Sequence, residues 1–375
     1  MAEPAKGLRN IVVAQSSICS IDGEKGILMY RGYDIAELAA HSTYEEVCYL
    51  LLKGELPTGE ELAAFREELA AARPLSAEAA RVVDEIADAA APMEALRTAV
   101  SALSFDDPDK DSNERAANER KAVRLVSQLP TVIARYERRR KGLEPVEPDA
   151  SLDYATNFLT MLRGEAPTEH EAHVFDVGMI LHADHEMNAS TFTARVIAAT
   201  LSDLHSAVVG AIGALKGPLH GGANEWVMNT LQEIGTEEGV EPRIQELLDA
   251  KMKIPGFGHA VYKTMDPRAV VLKELGRELS EEADPAEPNW FAMTERMQSY
   301  VHAQKGLWPN VDLYSASVYR YMGIATDLFT TLFAASRVVG WSAHVIEQHL
   351  DNKIIRPASE YVGPDPRAFP VASRS

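Results

Sequence analysis

Residues 327–350, DLFTTLFAASRVVGWSAHVIEQHL, decide the fold class. The stretch is apolar through its middle, its charge lies near its ends apart from Arg337, and it is long enough for a helix crossing a core. A second stretch, AVVGAIGALKG at 207–217, is apolar nearly all round and rich in small residues. Such a helix is buried, and its small side chains let a neighbouring backbone come close. Aromatic residues make up only 7 % of the chain, while Ala and Leu are abundant. That balance favours helix over strand, so the core is expected to be helix packed on helix.

Helix starts are marked by pairs of a hydroxyl and, three residues on, a glutamate. Ser42 with Glu45 precedes VCYLLLKGELP, Thr58 with Glu61 precedes LAAFREELAAAR, and Thr168 with Glu171 precedes AHVFDVGMILHADH. In each the hydroxyl caps a free amide and the carboxylate reaches back to the capping residue. Gly54 and Pro57 then stop the first of these helices. SICSIDGEKGILMYRGY at 17–33 alternates apolar and polar residues around Asp22-Gly23, which predicts a minor N-terminal β element. Residues 104–121 are polar and read as an exposed loop running into a helix, and 142–154 as a connector. The tail after Arg356, with Pro357, Pro364, Pro366 and Pro370, reads as extended.

A chain of 375 residues builds one large domain or two moderate ones. Its formal charge of -19 speaks against nucleic acid and against an acidic membrane surface as partners. No apolar run reaches the length of a membrane span, and MAEPAKGLRN has no signal-peptide core, so a cytoplasmic protein is expected. The two cysteines, Cys19 and Cys48, are too few for a disulfide framework and read as buried thiols in a reducing compartment. Against the acidic background stands one basic island. Between 251 and 277, Lys251, Lys253, Lys263, Arg268, Lys273 and Arg277 face only Asp266 and Glu274.

Three histidine-bearing segments carry candidate chemistry. In GPLHGGANE (217–225), Gly217, Pro218, Gly221 and Gly222 forbid a continuous helix and leave His220 uncrowded. It reads either as a helix–helix turn or as a site where a ligand approaches backbone. The glycine-rich oxyanion loop of an esterase would need a G-x-S-x-G elbow, which is missing. In PGFGHAVYK (255–263), Pro255, Gly256, Phe257 and Gly258 lead into His259, with Lys253 and Lys263 beside them. This is either an exposed basic loop or one that offers amides and cations to a flat, phosphate-bearing ligand. In LHADHE, His182 and His185 stand three apart, and a zinc site there would lack the i,i+4 pair of a metallohydrolase helix. Arg268, Arg337 and Arg356 stand among apolar residues. Each needs an anion, either a structural carboxylate or, jointly, a polycarboxylate ligand. Asp312, after Pro309 and before a helix, is a cap or a base.

Taken in order, these segments resemble the citrate synthase family. The resemblance runs from YRGYDIAELA (30–39) through LHADHEMNASTFTAR, GALKGPLHGGANE, PGFGHAVYKTMDPRA, NVDLYSASVYRYMGI and LFAASRVVGW to DNKIIRP. It covers nearly the whole chain and is closest to the shorter bacterial and archaeal branch, which includes 2-methylcitrate synthases. The resemblance implies a mainly α, two-domain helical fold, with a large domain at 1–221 and 324–375 and a small one at 222–323. It implies a homodimer whose active site is completed by the partner subunit. It also implies condensation of acetyl-CoA with oxaloacetate, with the coenzyme A thioester as co-substrate and no permanently bound cofactor or metal. By the same resemblance His220, His259 and Asp312 are catalytic. His185, Arg268, Arg337 and Arg356 hold oxaloacetate or citrate, Arg356 from the partner. Lys253, Pro255, Gly256, Phe257, Gly258 and Lys263 bind coenzyme A. Tyr262, where the family often carries a basic residue, and LYSASVY are departures bearing on which 2-oxo acid or acyl-CoA is preferred. The nearest alternative is 2-methylcitrate synthesis from propionyl-CoA. More remote are a metal-dependent hydrolase using His182, His185 and His205, and a non-catalytic helical scaffold.

Overall fold

The computed structural model describes residues 6–8 and 11–367. The expected β element is a three-stranded antiparallel sheet of β1 (Cys19–Asp22), β2 (Ile27–Tyr30) and β3 (Tyr33–Asp34). Cys19 pairs with Tyr30, and Asp22 with Ile27. Asp22 closes the intervening turn, its Oδ1 accepting from the amides of Glu24 and Lys25 at 3.1 Å each. Leu28 and Tyr30 point the same way and are buried, as the twofold strand period requires.

Among the described residues the remainder forms sixteen α-helices. They are α1 (Ile35–His41), α2 (Tyr44–Lys53), α3 (Gly59–Ala72), α4 (Ala77–Ile86), α5 (Pro92–Leu103), α6 (Arg115–Arg140), α7 (Tyr154–Arg163) and α8 (Glu169–His182). They continue as α9 (Ala189–Ala198), α10 (Leu204–Leu215), α11 (Ala223–Ile234), α12 (Val240–Asp249), α13 (Pro267–Glu282), α14 (Trp290–Lys305), α15 (Val311–Tyr321) and α16 (Phe329–Leu350). The stretch that predicted a core helix is α16, and it packs against α6, α9, α10, α8 and α2. The small-residue stretch is α10, which lies against α9 and α5. The helices α11 to α15 pack largely on one another, α13 and α11 on α15 and α12 on α14. Among the described residues no helix is long and apolar enough to cross a membrane.

The capping boxes at Thr58–Glu61 and Thr168–Glu171 are present. The first is shifted by one residue from its expected place: Thr43 and Glu46 form it, while Ser42 ends α1. Glu45 is unavailable because it points inward, accepting from the Tyr154 amide at 3.2 Å and facing Arg66 at 3.3 Å. Gly54 ends α2 in the left-handed conformation, as expected. The polar stretch 104–121 is not simply an exposed loop. Asp107 is buried, where it binds Arg124 of α6 through two bonds of 2.7–2.8 Å and meets His205 at 3.4 Å. The tail is exposed and without helix through residue 367, and Pro370 lies outside the described residues.

Candidate active site

Segments far apart in the sequence converge on one cavity of about 860 Å³. The first is the bend after α8. That helix ends at His182, whose Nδ1 donates to the Gly178 carbonyl at 2.8 Å and which burial pushes down to about 3. His182 and His185 therefore do not share a helical face. His185 lies beyond the helix end and reaches the cavity wall. Asn188 then caps α9 through the amides of Ser190 and Thr191 at 3.1 Å each.

The second segment is the 217–222 turn between α10 and α11. The Gly221 amide turns back to the Leu215 carbonyl at 2.9 Å, and a Cβ on Gly221 would sit 2.6 Å from that same oxygen, so only glycine fits. His220, just before it, sets its Nε2 2.8 Å from Ser190 Oγ and receives the Ser190 amide at 3.3 Å. Trp341 of α16 fixes the same hydroxyl through its indole N–H at 3.1 Å. With an amide aimed at Nε2, that nitrogen accepts and the neutral ring carries its proton on Nδ1. Burial, with Arg337 adding to it, lowers His220 to about 4, so the ring is neutral at pH 7.

The third segment, 251–266, carries the basic island. Gly256 adopts φ +81°, where a Cβ would meet Val227 at 2.9 Å. The loop is laced to the segment before α15: the Gly258 amide to the Trp308 carbonyl, the Asn310 amide to the Gly256 carbonyl, and the Asn310 side chain to the Gly258 carbonyl, all at 3.0 Å. His259 accepts at Nδ1 from the amides of Val261 (3.0 Å) and Tyr262 (3.2 Å), so its proton lies on Nε2. Burial and the nearby Arg268 lower it to about 4.

The fourth element is the start of α15. Asn310 is the helix cap, accepting from the Asp312 amide at 3.1 Å. Asp312 is thereby released from capping, and its Oδ1 is buried with no hydrogen-bond partner. Burial pushes its carboxyl up to about 7, with Asp266 adding to the rise and Arg268 and Arg337 opposing it. Arg268 is gripped by Asp266 through bonds of 3.0 and 2.7 Å, and Asp266 also receives the Val311 amide at 3.3 Å. The base of α15 and the guanidinium thus share one buried carboxylate. Arg337 of α16 donates through Nε to the His182 carbonyl at 2.6 Å, lies 4.7 Å over the Phe333 ring, and keeps one buried guanidinium nitrogen unpartnered.

His185, His220, His259, Arg268, Asp312 and Arg337, far apart in sequence, share this cavity. Residues 7–358 match the family model described as citrate synthase, C-terminal domain. The chain belongs to the citrate synthase family. It is similar to the citrate synthase of Haloferax volcanii, 48 % identical over 96 % of both chains. It is also similar to the 2-methylcitrate synthase of Shewanella oneidensis, 41 % identical over 98 % of this chain and 97 % of that one. The citrate synthase of Thermoplasma acidophilum, solved with carboxymethyl coenzyme A and oxaloacetate, superposes with a TM-score of 0.93 at 32 % identity over the whole of both chains. Within this citrate synthase fold, Lys253 and residues 255–258 also line the cavity.

Two residues singled out in the sequence do not reach the cavity in the single chain. The Lys263 ammonium turns away to Glu24 on the β1–β2 turn, and both side chains are exposed. Arg356 lies past the end of α16 in an exposed segment. Nor do His182, His185 and His205 assemble: His205 sits on α10 against Asp107, and no metal-holding group of three such side chains exists among the described residues. The cavity also draws on Lys305, Trp226 and Phe333, which carry no local sequence signal. Ser190, which anchors His220, stands at the start of α9.

Proposed function

We propose that this member of the family condenses acetyl-CoA with oxaloacetate and water to give citrate and coenzyme A. The observation that carries the reading is the pairing, in one cavity, of an unpartnered buried carboxyl at Asp312 with two neutral imidazoles whose protons are placed by backbone amides. A thioester α-proton is weakly acidic, so a carboxylate removes it only if the developing oxyanion meets a donor. Asp312, raised to about 7, is the base and takes a methyl proton. His220 donates from Nδ1 to the thioester oxygen as the enolate forms. The imidazole that burial keeps neutral still presents this N–H to the oxygen that gains charge. The enolate carbon attacks the keto carbon of oxaloacetate, whose oxygen is polarised by His259 Nε2–H and takes that proton as it becomes the citryl hydroxyl. Water then cleaves the citryl thioester and releases coenzyme A.

His185, Arg268 and Arg337 supply donors and positive charge for the carboxylates of oxaloacetate. Arg356 joins them from the partner subunit of a homodimer, which accounts for its exposed place outside this chain's own cavity. Lys253 and the 255–258 loop receive coenzyme A, and Lys263 joins them when it leaves Glu24. No bound metal or permanent cofactor takes part, and the reaction is cytoplasmic. Residues 222–323, containing α11 to α15, form a small domain that closes on the large one and excludes water until the carbon–carbon bond is made.

The test is thiol release from acetyl-CoA with and without oxaloacetate. Oxaloacetate-dependent release is expected, and Asp312→Asn should reduce it by at least ~10²-fold. The second reading, 2-methylcitrate synthesis, is favoured by relatives of that name at 41 % identity. One methylene separates the two acyl groups, worth only about 1–3 kcal/mol. The citrate synthases at 44–48 % identity support acetyl-CoA as the better substrate, measured as kcat/KM. A propionyl-CoA preference reverses that choice.

A further inference from the structure

We infer that Tyr262 is a positioning residue that sets which nitrogen of His185 carries the proton, its hydroxyl donating to Nε2 and leaving Nδ1–H for a carboxylate of the keto-acid substrate. The inference rests on the reading of the cavity as an oxaloacetate site. Tyr262 is 5 % exposed and touches both imidazoles of the keto-acid side. Its hydroxyl lies 3.2 Å from His185 Nε2, and its amide donates to His259 Nδ1 at 3.2 Å. Its ring centroid is 5.6 Å from that of His185 and 4.7 Å from that of His259. The two histidines come from separate segments, their ring centroids stand 5.1 Å apart, and Tyr262 packs against both.

The direction of the bond follows from charge. Burial, with Arg268 next to it, holds His185 well below its ordinary value, so the ring is neutral and has one N–H and one lone pair. Burial also keeps the phenol protonated. Among the described residues His185 Nδ1 makes no hydrogen bond, and His185 lines the cavity beside Arg268 and Arg337. Were Nε2 the donor, Nδ1 would offer a lone pair to a dianion on the side of the cavity where Arg268 and Arg337 supply donors. Donation by Tyr262 removes that repulsion. The backbone holds Tyr262 in place: the Lys263 amide reaches the Gly23 carbonyl at 2.9 Å, and a Cβ on Gly23 would meet the Val261 carbonyl oxygen at 2.3 Å.

Tyr262→Phe keeps the ring and the amide and removes only the hydroxyl. The expected result is a rise of about tenfold in KM for oxaloacetate, the scale of one lost hydrogen bond. KM for acetyl-CoA and the kcat at saturation should stay within about threefold. In a His185→Asn background the same change should alter KM for oxaloacetate less than about twofold, because its partner is gone. Equal increments in both backgrounds, or a fall in kcat at fixed KM, overturn the inference. Placing 3,5-difluorotyrosine at position 262 gives an independent sign test that preserves the shape of the side chain. A stronger donor and weaker acceptor, it should lower KM for oxaloacetate, and an unchanged or raised KM counts against donation by Tyr262. Wild-type protein lacking oxaloacetate-dependent thiol release defeats the functional reading as well, whereas wild-type activity with an unresponsive Tyr262→Phe defeats this inference alone.

Discussion

Asp312 sits at the second position of α15 with a buried, unpartnered oxygen, and its ionisation therefore opposes the fold. Its carboxyl titrates near 7 in the native state, raised by burial, against an ordinary value of 3.8. Below pH 3.8 both states are protonated and nothing is lost. As pH rises from 3.8 through about 7 the native state keeps a proton that the unfolded state has released, so stability falls across that window and stays lower above it. Asp312→Asn should therefore raise the unfolding free energy at pH 8, by an amount on the order of 4 kcal/mol, and give no gain at pH 3.5. Equal gains at both pH values would show that the carboxyl is not desolvated. The same titration predicts that kcat/KM for acetyl-CoA climbs through an apparent pKa near 7, abolished in the Asn variant. His220 and His259 work with the opposite sign. Both are lowered to about 4 by burial, so the stability they contribute is present above pH 6.5 and is lost as pH falls toward 4. None of this was legible in the sequence. Asp312 read equally as a cap, and only the position of Asn310, which takes the capping role, frees it.

At the scale of elements, sequence patterns located the core helices because burial on all sides leaves no polar face to misread. They failed where tertiary contacts overrule local signals. Ser42 and Glu45 match a capping box by spacing, yet the box forms one residue later because Glu45 is drawn inward to Tyr154. Pro130 lies inside α6 and does not end it, a helix covered along its length by α16, α7 and α3. A tight contact in the site's foundation is equally invisible in sequence. Gly340 of α16 packs on the bend after α8, where a Cβ would come 2.3 Å from the Ala183 carbonyl oxygen and 2.5 Å from Asp184. That bend leads directly into His185. Gly340→Ala is expected to destabilise the protein by about 1–3 kcal/mol in urea unfolding, the usual result of overpacking. Gly213→Ala, on α10 with open space around the new methyl, should be neutral or stabilising by about 0.5–1 kcal/mol. Similar outcomes for the two substitutions would mean that the α8–α16 contact is not tight.

Over the whole molecule, order along the chain was the legible feature and distance in space was not. Histidine and arginine segments named the cavity before any geometry was known, but the charge pairs that hold one helix group to another come from residues with no local pattern. His170 is such a case. It is the second residue of α8, and its ring lies between two glutamates of α13, Nδ1 2.9 Å from Glu282 and Nε2 3.4 Å from Glu278. Hydrogen bonding to Glu282 is the main cause raising it above the ordinary 6.5. Glu278 is also approached by Arg277 at 3.7 Å, and Glu171 on α8 is occupied by Arg163 at 2.8 Å, so the two glutamates are the principal charges facing the ring. A raised pKa means that the native state binds the proton more tightly. The contact's contribution is complete below pH 6.5 and disappears as pH rises through the native value. Because Arg268 stands in the first turn of α13 and that helix packs on α15, this contact couples the α11–α15 group to α8, whose far end turns into the His185 bend. His170→Gln should therefore cost about 0.5–1 kcal/mol at pH 5.5, the range of a partly exposed ion pair, and close to nothing at pH 9. Urea midpoints of both proteins at the two pH values measure it. A cost that is larger at pH 9, or the same at both, would show that α8 and α13 are held together by packing and not by this proton.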